Sequence, residues 1–199
     1  MPAEEPLRLI VGISGSSGSI YGIRLLQELK RLGVESHLII TKWGGITITY
    51  ETDMRVEEVK KLATYSYSDD DLAARISSGS FLTDGMIIMP CSMKTIGGIL
   101  SGNADSLLTR AADVTLKEAR RLVLVPRETP LNRIHLKNML SAAEAGAIIM
   151  PAMPAFYHKP KSLDDVIDHL VGKALDLFGI KHDLYERWRD IKKSDSKLE

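Results

Sequence analysis

The eleven residues from Gly12 to Gly22, GISGSSGSIYG, constrain this chain more than any other stretch. They follow an apolar run, Leu7–Ile13, and open a helical pattern from Ile20 to Leu32, with Ile20, Ile23, Leu26 and Leu29 at helical spacing. A buried strand that passes through small residues into a helix begins an α/β fold and leaves an anion-binding corner. Glycine lets backbone approach an anion closely, and a helix start offers unpaired N–H groups and a positive dipole end. Ser14, Ser16 and Ser17 would add hydroxyl donors. The bland alternative is an ordinary βα turn capped by serine.

The stretch is not the dinucleotide fingerprint, because Ser14 stands at its second glycine position. The next strand, Glu35–Ile40, ends in Thr41-Lys42 and not in the acidic residue that would grip a ribose. Neither a P-loop nor a G-x-S-x-G elbow occurs. What remains is a monophosphate or mononucleotide site, with FMN the natural candidate.

Further elements alternate along the chain. Val56–Ala63, a start near Met93, Leu107–Arg120, Leu131–Ala145 and Leu163–Phe178 read as helices. Met86–Met89, Leu122–Val125 and Ala147–Met150 read as strands, closed by Pro90, Pro126 and Pro151. Lys42–Tyr50 is ambiguous, since its β-branched residues alternate as in a strand. Residues 64–81 are polar, with Asp69-Asp70-Asp71 expected to start a short surface helix. The pattern predicts a single-domain, Rossmann-like (flavodoxin-like) parallel sheet with helices on both faces. It would span residues 1–199, with a core over about 7–180 and a C-terminal tail at 181–199.

Composition excludes several classes. Lys+Arg and Asp+Glu both number 26, so there is no basic excess to hold nucleic acid. In 199 residues, 44% hydrophobic content suits one domain with a substantial core. The one cysteine, Cys91, excludes an intramolecular disulfide framework and fits a reducing cytoplasm. MPAEEPLRLIVG does not have signal-peptide character, and no apolar run approaches the ~20 residues of a membrane span. The five histidines form no H-E-x-x-H, so no metal site is expected. Asp164-Asp165-x-x-Asp168 resembles a magnesium-diphosphate motif. Its position after Ser162 reads better as a capping box and dipole-compatible charge at a helix start.

Parallel sheets bind ligands beyond the carboxyl ends of their strands. Gly15-Ser16-Ser17, Thr41, Cys91–Thr95, Arg127–Pro130 and Phe156-Tyr157-His158 all fall there. Arg127 could grip a phosphate and Glu128 move a proton, or the two could neutralise each other at the surface. Arg110, Asp113 and Lys117 share a helix face, as a ligand site or as an ion-pair ladder. Glu51 could equally be a plain surface carboxylate, and Tyr157 and Trp188 core or interface aromatics.

Together these segments resemble the UbiX family of flavin prenyltransferases from about Leu9 to Trp188. The resemblance rests on GISGSSGSIYG, Glu51-Thr52-Asp53, PCSMKT at Pro90–Thr95, LLTRAADVTLKE at Leu107–Glu118, LVLVPRETPL at Leu122–Leu131 and PAFYHKP at Pro154–Pro160. It implies transfer of a dimethylallyl group from dimethylallyl phosphate to N5 and C6 of reduced FMN, without a metal. It also implies a UbiD-type decarboxylase that receives the prenylated FMN, as in ubiquinone biosynthesis, and a homododecamer with sites between subunits. Motif to motif, Gly15, Ser16, Ser17, Thr41, Ser92, Met93, Lys94, Thr95 and Arg127 correspond to FMN contacts. Lys117, Arg127, Tyr157 and Lys173 correspond to groups around the prenyl phosphate, and Trp188 to the wall of the prenyl pocket. Glu51, Glu128 and Ser17 correspond to acid–base groups. Lys173 stands where many relatives have Arg, keeping the charge and losing the bidentate fork. Thr41 replaces a common Ser and keeps the hydroxyl. An FMN-dependent cysteine-type decarboxylase and a non-catalytic flavin carrier are the competing readings.

Overall fold

The computed structural model describes residues 7–188 and divides after Ala152 into two compact units. The first is a six-stranded, all-parallel sheet: β1 (Arg8–Ile13), β2 (Glu35–Ile40), β3 (Tyr65–Tyr67), β4 (Gly85–Cys91), β5 (Arg121–Pro126) and β6 (Ile148–Ile149). Its order is β3-β2-β1-β4-β5-β6, so the chain reverses its direction of progress between β1 and β4. In β1 five of six residues are buried, and in β4 all seven, as expected where helices cover both faces of a parallel sheet. Helices α1 (Ser19–Arg31), α2 (Lys42–Glu51), α3 (Val56–Lys60), α4 (Met93–Leu100), α5 (Leu107–Lys117) and α6 (Arg133–Glu144) supply the cover. Leu108, Ala111 and Ala112 of α5 pack with Ile10, Met86, Ile88 and Leu122 of the sheet in one apolar core. No helix among the described residues is long and apolar enough to cross a membrane.

Three readings change with the structure, the first from ambiguous to definite. Lys42–Tyr50 is helical, and only Gly44 and Ile48 of α2 are buried, four residues apart. The β-branched alternation therefore never faces a core at period two. Thr41 caps the helix by accepting from the Gly44 N–H at 3.0 Å. Thr47 and Thr49 donate their hydroxyls back to the carbonyls of Trp43 and Ile46.

The second correction is β3, a strand inside the polar stretch 64–81. It is three residues long, too short to show a period. Cross-strand chemistry holds it: the rings of Tyr65 and Tyr67 stack on buried His37 of β2 at 5.0 and 5.8 Å. The third concerns Asp69–Asp71, which turn the chain without starting a helix; a 3-10 turn follows at Arg75–Ser77. Asp69 instead serves α5, accepting from the N–H groups of Leu107 (2.7 Å, main chain) and Leu108 (2.9 Å, carboxylate).

The second unit is built on α7 (Leu163–Asp176). Ser162 accepts from the Asp165 N–H at 3.2 Å, while the Asp165 carboxylate accepts from the N–H groups of Lys161 and Ser162 at 2.7 and 3.1 Å. This is the capping box read from the sequence. The chain then returns along α7. His182, Tyr185 and Arg187 converge on Asp176, with the Tyr185 hydroxyl at 2.5 Å and the Arg187 fork at 2.7 and 3.1 Å. Gly172 makes the close passage possible, since a Cβ there would strike the rings of Tyr185 and His182 at 2.6–2.7 Å. Burial raises the Asp176 pKa, but the hydrogen bonds and charge of Arg187 and its neighbours outweigh that and hold it at about 2.

Candidate active site

The loop after β1 does not work as the sequence suggests. The Ser14 hydroxyl donates to the Pro90 carbonyl at 3.1 Å and accepts from the Ser92 N–H at 2.7 Å. It ties the ends of β1 and β4 together and has no lone role as a ligand donor. The start of α1 is also taken. One oxygen of Glu51 accepts from the N–H groups of Gly18 and Ser19, both at 2.9 Å, and from the Ser19 hydroxyl at 2.8 Å. Burial pushes the Glu51 pKa up, but hydrogen bonds from the Ser17 hydroxyl, Ser19 and Gly18 together hold it below the usual carboxylate range. Glu51 is thus an ionised cap, more than the plain surface carboxylate of the bland reading. The phosphate corner expected at α1 is filled by the protein's own anion.

The open space lies one step along the sheet edge. A cleft of about 530 Å³ is lined by Gly15, Thr41, Ser92, Lys94 and Thr95 of the predicted contacts, joined by Lys42, Trp43, Asn103, Ser106, Leu108 and Thr109. Thr41, Ser92 and Ser106 are the N-caps of α2, α4 and α5. Two positive helix ends, those of α2 and α4, therefore open on one cleft with two lysines beside them, while the start of α5 is already met by Asp69, which lines the cleft together with Asp105. Gly15 has no room for a side chain, since a Cβ would strike Cβ of Trp43. The Ser16 hydroxyl is shielded and has no hydrogen-bond partner among the described residues, a donor in want of an acceptor. Size, aromatic wall, hydroxyls and cations all fit a flavin mononucleotide. Ser16, Ser17, Met93 and Arg127 do not line this cleft, and Met93 packs its side chain on the core. Trp43 and the cap Ser106 were missed in the sequence. Trp43 was hidden by the strand-like reading of its segment, although it directly follows the noted Thr41-Lys42.

Arg127 leaves the carboxyl end of β5 and donates to the Ser17 carbonyl at 3.3 Å. Its charge also offsets part of the burial that raises the Tyr21 pKa. Glu128 is exposed and accepts from the Thr129 N–H at 3.2 Å. It does not pair with Arg127 in the way the self-neutralising alternative requires. Lys117 lies elsewhere. It ends α5, pairs with Glu118, and sits before β5 begins. A six-residue strand separates it from Arg127, about 20 Å at the usual rise. One protomer therefore does not bring these two cations together. The ladder reading holds for Arg110 and Asp113, paired at 2.7 Å, but does not extend to Lys117.

The second unit assembles the remaining predicted residues. The Tyr157 hydroxyl lies 3.1 Å from Nε2 of His169. Its ring meets Trp188 edge-on at 5.3 Å and His158 at 5.5 Å. Lys173 is close enough for its charge to act on His169. Tyr157 and Trp188 are both exposed, the latter at 65%. An aromatic face, a hydroxyl and a cation thus share one surface of this unit.

The chain matches the Flavoprotein family over residues 2–175. It is 55% identical over 185 residues to the "Flavin prenyltransferase UbiX" of Escherichia coli (strain K12), covering 92% of this chain and 98% of that one. The crystal structure of AnUbiX (PadA1) in complex with FMN and dimethylallyl pyrophosphate superposes with a TM-score of 0.93. Its identity is 51%, over 94% of this chain and 100% of that one. A dodecameric FMN-dependent Ubix-like decarboxylase from Escherichia coli O157:H7 gives a TM-score of 0.91, also at 51% identity, over 92% of this chain and all of its own. With the doubly wound sheet and the cleft at its switch point, these likenesses show that the chain belongs to the Flavoprotein family, among its UbiX-type flavin prenyltransferases.

Proposed function

We propose that the protein transfers a dimethylallyl group from dimethylallyl phosphate to N5 and C6 of reduced FMN. The observation that carries this is the cleft where the N-caps of α2, α4 and α5 converge, in a chain that superposes along nearly its whole length on a relative holding FMN and a prenyl donor. Thr41, Ser92, Lys94 and Thr95 would hold the flavin phosphate and ribityl chain, and Ser16 offers its unpaired hydroxyl. When bound and reduced, the flavin supplies the electron-rich nitrogen and ring carbon that receive the prenyl group.

The chain's own residues handle the rest. Breaking the allylic C–O bond leaves a phosphate whose growing charge needs cations and a proton donor. Arg127, Lys117 and Lys173 supply the cations, and Tyr157 the hydroxyl. Trp188 shields the allylic carbon from water. Glu51 is held ionised and suits proton acceptance, not donation. Glu128, exposed just beyond β5, would serve as a further acid–base group, and Ser17 hydrogen-bonds Glu51. Lys117 and Arg127 lie at opposite ends of β5, so both face one phosphate only when they come from different protomers. A dodecamer like that of the Escherichia coli O157:H7 relative would provide this. The product would go to a UbiD-type decarboxylase in the cytoplasm, a setting that the single buried thiol Cys91 suits.

The test is anaerobic: reduced FMN, protein and dimethylallyl phosphate, followed by the mass of the extracted flavin. Gain of one C5H8 unit without added magnesium is the expected outcome. Unchanged FMN, from protein shown to bind it, with both the monophosphate and the diphosphate donor, would defeat the proposal.

A further inference from the structure

His169 is buried, at 5% exposure, in the interior of α7. Its Nε2 lies 3.1 Å from the Tyr157 hydroxyl. Its Nδ1 is shielded and has no hydrogen-bond partner among the described residues. A neutral imidazole carries one N–H, and the partner of the other nitrogen decides which. A proton on Nδ1 would strand a buried donor, the costlier and rarer kind of orphan. A proton on Nε2 strands only a lone pair. The ring is kept neutral chiefly by burial, helped by the charges of His158 and Lys173 and opposed by Asp176. Tyr185 packs at 4.7 Å on the ring, and His158 stacks on it at 4.7 Å and 6°. The imidazole therefore cannot readily turn over.

From this geometry we infer that His169 is a positioning residue: its Nε2–H donates to the Tyr157 oxygen and so leaves the phenolic proton free for the leaving phosphate of the prenyl donor. With the opposite tautomer the phenol would spend its proton on His169 and present only lone pairs to an anion, which repel it. Tyr157 is exposed at 41%, and its ring is set by Trp188 and His158. Its hydroxyl thus has one fixed partner, His169. The inference rests on the proposed role of Tyr157 at the prenyl phosphate.

The experiment titrates dimethylallyl phosphate into FMN-loaded, oxidised protein, which binds the donor without turnover. His169→Phe keeps the aromatic stack and removes the donor that holds the Tyr157 hydroxyl in place, and affinity is expected to fall about fivefold, the size of one neutral hydrogen bond. His169→Gln places an amide N–H near the former Nε2 and should recover most of the loss. The Tyr157→Phe/His169→Phe double variant should bind no more weakly than Tyr157→Phe. Wild-type affinity in His169→Phe, failure of Gln to recover binding, or an added loss in the double variant would each overturn the inference. Unchanged affinity in Tyr157→Phe itself would instead remove the role given to Tyr157, and the inference with it. Thermal midpoints of the four variants and the wild type separate these outcomes from misfolding.

Discussion

Glu51 carries two loads. Its carboxylate closes the open start of α1, and the same hydrogen bonds hold its pKa below the usual range. Its stabilising effect is complete above the unfolded carboxylate pKa of about 4.3 and is lost as pH falls through the lower folded value. Glu51→Gln should therefore lower stability by about 1 kcal/mol at pH 7, in the range of a lost cap moderated by solvent screening. The gap between variant and wild type should close below about pH 4, as read from thermal midpoints along a pH series. A gap that widens with acid would show that the carboxylate is not the stabilising form. Glu128 makes one local contact and caps no helix. Glu128→Gln should keep FMN affinity and folding while product formation drops ~100-fold or more, the usual scale of a lost proton-transfer group. Equal product from the variant would show that Glu128 is not the proton-transfer group. Such residues were legible because they sit in compact motifs, Glu128 just after β5 and Glu51 at the end of α2. What each does was less so: Ser14 looks like a ligand donor in sequence, and only the fold shows its hydroxyl spent between β1 and β4.

At the level of elements, legibility followed burial. β1, β4 and β5 are near-continuous apolar runs, visible as such, while β2 is apolar only over Leu38–Ile40 although four of its six residues are buried. α2 was ambiguous because threonine and isoleucine alternate, and what decides it is hydroxyls bonding back into the helix together with a narrow Gly44–Ile48 stripe. β3 was invisible because its stabilisation comes from the ring of His37 on another strand. The return segment after α7 shows the same dependence on distant partners. Three side chains reach Asp176, and their removal should free the segment that carries Trp188. Asp176→Ala is expected to speed tryptic cleavage after Lys181 by about tenfold, since losing charge-assisted hydrogen bonds of this kind costs about 1–3 kcal/mol. An unchanged cleavage rate would show that Gly172 and ring packing suffice. In mild acid the Asp176 carboxylate should stay ionised, because its partners hold its pKa at about 2.

At the level of the whole molecule, the doubly wound sheet was readable from the alternation of elements, and its switch point predicts where a ligand sits. The start of α1 is already capped, and no local pattern reveals that Glu51, more than thirty residues away, accepts from its N–H groups. Nor could spacing show that Lys117 and Arg127, ten residues apart, face opposite ends of one strand. That separation has a genetic consequence. Lys117→Ala and Arg127→Ala should each be inactive alone, yet unfolding and co-assembling the two in equal amounts should restore activity in about a quarter of the sites, since random mixing in a closed assembly puts both intact partners together that often. Two defective alleles of this gene would then complement each other in one cell, whereas a site confined to a single chain would stay silent in every mixture.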